Sequence, residues 1–212
     1  MNIQVIDSLK KELLGGAIDV VEIKDTATGR IHRLLLRTEP ATDIIKDTDK
    51  EDYEVKFIAT HVQLCTELVH HNFTGPFALE IPLTTLYDCI EIYRTLAYEL
   101  LKNDIALKLH IVMTDDMPQF SAESLLAEMG ELVALGVELI IDNISSYDHL
   151  KVAEMILSVT EEIRMDLTSK NLLGHIHLSA LISSDLAKDK KVGVIINLAN
   201  DLPSFSSTYQ QV

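Results

Sequence analysis

SAESLLAEMGELVALGVELIID, residues 121–142, holds one complete repeat of the pattern that runs through this chain. Leu125, Leu126, Met129, Leu132 and Val133 recur at i, i+1, i+4, i+7 and i+8, the spacing of one buried helix face. Ser121 stands where a hydroxyl caps a helix start, and Gly136 stands where a helix stops. A short β-rich run, VELIID (137–142), follows at once. Helix, glycine break and apolar strand are the parts of a sheet covered by helices.

The same order extends in both directions. A helical pattern over 56–71 precedes the strand FALEI (77–81), and one over 84–102 precedes ALKLHIVM (106–113). Helix 148–159 leads to EIRMDL (162–167), and helix 175–188 leads to VGVIINL (192–198). Upstream, residues 2–14 read as a helix with Ile3, Ile6, Leu9, Leu13 and Leu14 on one side, ended by Gly15-Gly16. The β-rich runs 17–23 and 31–37, joined by DTATGR, read as a hairpin. Residues 38–55 read as a polar loop, and 203–212 as a short polar tail. Helix-then-strand units with short breaks imply parallel strands. About seven strands favour a modified βα (TIM-like) barrel over an open doubly wound sheet, and no G-x-G-x-x-G or P-loop argues for the latter. No boundary or fixed repeat divides residues 1–212, so one domain is expected.

Eighteen Lys and Arg stand against 33 Asp and Glu in 212 residues, a formal net charge of −15. Such a surface repels phosphate backbones and anionic membranes, so neither nucleic acid nor membrane is an expected partner. No apolar run reaches the roughly 18–20 residues needed to cross a bilayer, and the start MNIQVIDSLKKELL carries no export pattern. A cytoplasmic protein is expected. Cys65 and Cys89 both fall in helical patterns and read as buried thiols rather than a disulfide.

In a barrel of this kind function sits at the carboxyl ends of the strands, and alternation selects the side chains that share a face. Arg33, Leu35 and Arg37 share one face of their strand; Glu80 is the polar member of the next; Lys108 and His110 share a face of the third. Asp142-Asn143 ends the following strand, Arg164 and Asp166 share a face of the one after, and Asn197 lies near the end of the last. These side chains read either as the wall of a polar mouth or as a satisfied hydrogen-bond network. His70-His71 at a helix end suits the helix dipole. His175 and His177, two apart, make a poor metal pair. Asp47–Asp52 lacks the glycine and terminal glutamate of a calcium loop and reads as a solvated loop. No G-x-S-x-G, H-E-x-x-H or paired C-x-x-C occurs.

The collinear order of LVALGVELIIDN (132–143), SYDHL (146–150) and EIRMDL (162–167) resembles the stretch around the DDFG and K-x-D motifs of EAL domains, bacterial cyclic di-GMP phosphodiesterases. TATGRI followed by RLLLR (33–37) resembles the family's opening, whose strand reads E-A-L-L-R. FALEIPLTTL resembles the V-N-L-S strand, LKLHIVMT the L-E-I-T-E strand, and VGVIINLAND the A-E-G-V-E segment. The resemblance covers roughly residues 2–202 and implies a modified βα barrel that uses two divalent metals. Against that pattern Arg33 stands for the signature glutamate, Glu80 for the asparagine ligand, and His110 for the glutamate of L-E-I-T-E. Asn143 stands for the second aspartate and Arg164 for the catalytic lysine; Asn197 and Asn200 stand for two late glutamates. Arg37, Asp142 and Asp166 are kept.

Two close divalent cations need several carboxylates, and a guanidinium at Arg33 brings a fixed positive charge instead. The resemblance thus implies the fold and argues against the activity. The expectation is a degenerate, catalytically inactive EAL-like protein that regulates through a protein partner or homodimer, with no cofactor and with cyclic di-GMP binding at most residual. The alternative is a rebuilt hydrolase site in which Glu80, His110, Asp142 and Asp166 hold one metal, with magnesium or manganese entering only in that case. Arg33 and Arg37 could hold an anion together, or Arg33 could pair with Glu80 or Asp142. After Asn200 only DLPSFSSTYQQV remains, read as one short helix and no strand. A missing or incomplete last strand would leave open edges, and the expected remedy is a homodimer or protein partner near the seam between 17–37 and 192–198.

Overall fold

The computed structural model describes residues 18–25, 31–38, 50–73, 75–114, 120–142, 144, 146–166, 191–196 and 207–211. The hairpin comes first. β1 (Ile18–Asp25) and β2 (Ile31–Thr38) pair antiparallel from Ile18 opposite Thr38 to Lys24 opposite Ile31, with an irregularity between Ile23 and Lys24. From β2 onward the neighbours run parallel: β3 (Phe77–Pro82), β4 (Lys108–Val112), β5 (Glu138–Asp142), β6 (Glu162–Asp166) and β7 (Lys191–Ile196). Short strands with both faces covered read as apolar runs, which is why Leu109, Ile111, Leu139 and Ile141 dominate them.

The sheet closes. β8 (Ser207–Gln211), drawn from the tail, pairs antiparallel with β7 and parallel with β1. The last strand is therefore short and reversed: of the expected missing or incomplete last strand the incomplete one is found, and only the reading of the tail as a short helix with no strand is overturned. Thr208, Tyr209 and their neighbours fill the backbone groups that β1 and β7 would otherwise leave open, so the seam supplies no reason for a homodimer.

Helices cover the outside. α1 (Lys50–His70) lies between β2 and β3 in sequence, and α2 (Leu83–Asp88) and α3 (Ile90–Leu101) lie between β3 and β4. α4 (Ala122–Ala134) precedes β5, and α5 (Tyr147–Ile156) with the turn Leu157–Val159 precedes β6. α1 starts at Lys50, six residues before the expected 56, so the end of the stretch read as a polar loop is helical. The helix expected over 84–102 breaks at Cys89, whose φ of −120° and ψ of 25° leave the helical region. Ser121 caps α4 by accepting from the Ser124 N–H, and Gly136 ends that unit at φ +83°, in the left-handed region that costs glycine least. Cys65 is buried and Cys89 half-buried, and both are free thiols. The expected helices 2–14 and 175–188, with His175 and His177, lie outside the described residues.

Strand alternation sorts the apolar residues into two bodies. The larger fills the space between sheet and helices and includes Leu34, Leu36, Phe77, Leu79 and Ile81. The smaller, Val21, Ile23, Leu35 and Ala78, lies inside the barrel. Leu35 thereby fixes the inward face of β2, and Arg33 and Arg37 share it. No helix of the described residues is long and apolar enough to cross a membrane.

Candidate functional site

Arg37 is the penultimate residue of β2, and Glu80 stands on the inward face of the adjoining β3, two residues beyond Ala78. Their register brings them together. Arg37 Nε donates to Glu80 Oε2 at 2.7 Å, in a pair that is half-buried at the rim. One strand on, His110 is opposite Glu80 in register, and its Nδ1 lies 3.5 Å from Asp142 Oδ2 at the end of β5. Both side chains are buried. The Met113 N–H donates to the Asp142 carbonyl at 3.2 Å, holding the ends of β4 and β5 together. His149, buried at the start of α5, donates through Nε2 to the Thr114 carbonyl at 3.1 Å.

Four of the sequence-derived candidates thus gather at the carboxyl ends of β2 to β5: Arg37, Glu80, His110 and Asp142. Arg164 and Asp166 lie on β6, with Asp166 its last residue. Asn143 and Asn197 lie outside the described residues, as does Asn200. Of the acidic block 47–52, residues 50–52 belong to α1.

Arg33 does not join the mouth group. Four residues at a rise of about 3.3 Å put it some 13 Å below Arg37 along the strand. There it meets Glu162, the first residue of β6, in a bidentate pair: Nη1 donates to Oε2 at 3.0 Å and Nη2 to Oε1 at 2.6 Å. The pair is almost fully enclosed, with side chains 2% and 3% exposed. The expected partners, Glu80 and Asp142, are instead engaged by Arg37 and His110, and the idea that Arg33 and Arg37 hold one anion together fails on distance. Glu162 is the residue the sequence reading missed. Its signal was present, because Glu162, Arg164 and Asp166 alternate along one face of EIRMD. Lys108, at the amino end of β4, is held by Glu138 of β5.

A second buried polar pair lies between α1 and α3, away from the mouth. His61 Nδ1 and the Tyr93 hydroxyl are 2.7 Å apart, with the Phe57 ring packed on His61. Burial without a charge partner drives the imidazole down from its usual 6.5 to about 3, so His61 is neutral. Burial likewise pushes the Cys65 thiol up to about 12, which keeps it protonated and unreactive.

The paired divalent cations implied by the resemblance need a set of oxygen ligands free to face them. Among the described residues no three His, Cys, Asp or Glu side chains are grouped to hold a metal ion. Glu80, the one carboxylate near the end of β3, is engaged by a guanidinium that would repel a cation. The described residues do not fit two divalent cations.

Solved structures share this fold. An EAL domain protein from Listeria monocytogenes EGD-e superposes with a TM-score of 0.54 at 14% identity, over 99% of this chain and 91% of that one. The Bacillus subtilis YkuI protein, which has an EAL domain and was solved with c-di-GMP and calcium, gives 0.63 at 12% identity over 94% of this chain. This chain spans 52% of that protein. The Xanthomonas citri FimX EAL domain, solved with c-di-GMP, gives 0.55 at 10% identity over 99% and 90% of the two chains. No protein-family model matches the sequence, and no curated protein matches it. The chain has the fold of EAL domains, a likeness carried by structure rather than by sequence.

Proposed function

We propose that this chain is a catalytically inactive EAL-like module that acts in signalling or regulation by binding another protein. The observation that supports this most is the Arg37–Glu80 pair. A hydrolase of phosphodiesters through paired metals needs its mouth carboxylates turned toward the cations. Here the β3 carboxylate neutralises an arginine, and the imidazole beside Asp142 supplies a nitrogen donor in place of a further carboxylate. Cyclic di-GMP is the nucleotide to test, because the YkuI protein and the FimX EAL domain were solved with it. The test is calorimetric titration of cyclic di-GMP with and without manganese, alongside a hydrolysis assay with magnesium or manganese. Turnover above a heat-killed control, abolished by Asp142→Ala, overturns the reading.

A second reading draws on the register that brings Glu80 beside His110 and His110 beside Asp142. In this reading Glu80 leaves Arg37 and the four side chains Glu80, His110, Asp142 and Asp166 close on one metal, a grouping not formed among the described residues, and a mixed imidazole and carboxylate set suits zinc or manganese better than magnesium. Stoichiometric metal in the purified protein, lost on His110→Ala, favours it.

A further inference from the structure

The end of the barrel opposite the mouth carries a groove that neither reading uses. It lies between the carboxyl ends of α3 and α4 and the amino ends of β4 and β5, with a volume of about 220 Å³. Its walls carry the apolar side chains of Ala97, Leu101, Ile105, Leu107, Leu135 and Val137, while Asp104 and exposed backbone groups make the rest of the lining polar. That volume falls below the roughly 300–1,000 Å³ of sites that enclose a small organic ligand, and it suits a single anchoring side chain. Leu101 on the groove wall is 52% exposed, and Tyr98, one helical turn before it, is equally so. Exposed leucine and tyrosine side by side are the composition of a contact surface.

The electrostatics of the groove have one sign. α3 ends at Leu101 and α4 at Ala134, and neither has a basic residue in its last turn, so two negative helix ends converge there. Asp104 stands on the rim, exposed, and makes no ion pair among the described residues. Among the described residues the nearby cations Lys102 and Lys108 are already paired. Lys102 Nζ bonds Glu99 at 2.8 Å and lies over the Tyr98 ring, and Lys108 is held by Glu138. Apolar side-chain walls beside the carboxylate of Asp104, unpaired among the described residues, select an apolar side chain flanked by positive charge.

We propose that this groove docks a basic amphipathic segment of a partner protein, seating one apolar side chain between Leu101 and Leu135 and placing a Lys or Arg against Asp104. The proposal rests on the protein-binding reading above and gives it a location and a partner chemistry. The probe is a synthetic helix peptide of Leu and Lys, compared with a Leu and Glu peptide and a Ser and Lys peptide of equal length. Calorimetry at physiological salt on the full chain is expected to show binding of the Leu and Lys peptide alone, weakened about tenfold by Leu101→Lys and about tenfold by Asp104→Lys. Both positions are exposed, so the variants keep the fold, which circular dichroism checks. Amide shifts on titration are expected at 101–107 and 135–137.

Affinity unchanged from the native chain in both variants overturns the proposal. So does equal binding of the Ser and Lys peptide, which would mean adhesion to a −15 surface. A peptide-free dimer that protects the groove from amide exchange also overturns it, in favour of a second copy of this chain. Hydrolysis of cyclic di-GMP would remove the regulatory reading while leaving these affinities to stand or fall alone.

Discussion

Two arginines four residues apart on β2 each pair with a glutamate, Arg33 across the barrel on β6 and Arg37 on the adjoining β3, and they live in different media. Arg33 and Glu162 are enclosed, with two hydrogen bonds between them; Arg37 and Glu80 share one and keep side chains 38% and 25% exposed. In the enclosed pair, neither charge can be re-solvated if its partner leaves. At the mouth, water can replace either partner, so the pair can exchange one ion for another. The lower pair ties β2 to β6 and belongs to the fold. The upper pair leaves the mouth adaptable.

The largest expected effect tests that difference directly. Arg33→Ala or Glu162→Gln strands a buried charge and is expected to cost about 3–5 kcal/mol. The double variant Arg33→Met with Glu162→Leu removes both charges and is expected to be near neutral or stabilising. Urea midpoints on the three proteins decide it. A single variant that costs under about 1 kcal/mol would mean that water reaches the pair and that the two arginines are alike.

His61 sharpens the comparison with a buried group that has a hydrogen-bond partner and no counter-charge. Its folded pKa of about 3 lies below the unfolded value near 6.5. Between those values the unfolded chain binds a proton that the folded chain refuses. Stability is therefore full above about pH 6.5 and falls as pH drops toward 3, by up to about 1.4 kcal/mol per unit. From pH 7 to pH 5 the native protein is expected to lose about 2 kcal/mol more than His61→Gln. Parallel stability curves would remove His61 as the cause. Tyr93→Phe at pH 7, which takes away the hydroxyl, is expected to cost about 1–2 kcal/mol by leaving a ring nitrogen unpaired.

Which parts of this were legible follows from the range of the interactions. The hairpin, the parallel strands and the Ser121–Gly136 unit rest on local spacing, and local spacing is written in the sequence. The mouth group was legible for the same reason, since period two puts Arg37, Glu80, His110 and Asp142 on inward faces. The Arg33–Glu162 pair spans 129 residues, and only the tilt of the strands around a closed barrel brings the start of β2 to the start of β6. β8 was hidden differently. STYQQ has no apolar face of its own, and its pairing with both β1 and β7 becomes visible only once the other strands are placed.

The smallest effect belongs to the mouth. Arg37→Ala and Glu80→Gln each remove one member of a half-exposed pair, and each is expected to change stability by about 0.2–1 kcal/mol. The coupling between them, read from the double variant, is expected to shrink further when salt shortens the screening length from about 8 Å to about 3 Å at 1 M. The enclosed pair is expected to keep its coupling in the same salt, because ions do not enter it. The measurement is therefore two double-variant cycles at two salt concentrations. If the mouth coupling exceeds about 2 kcal/mol and ignores salt, Arg37 and Glu80 are a structural clasp like the pair below them. An arginine so held could not turn to meet a nucleotide phosphate, and the mouth would be closed to exchange by its own ion pair.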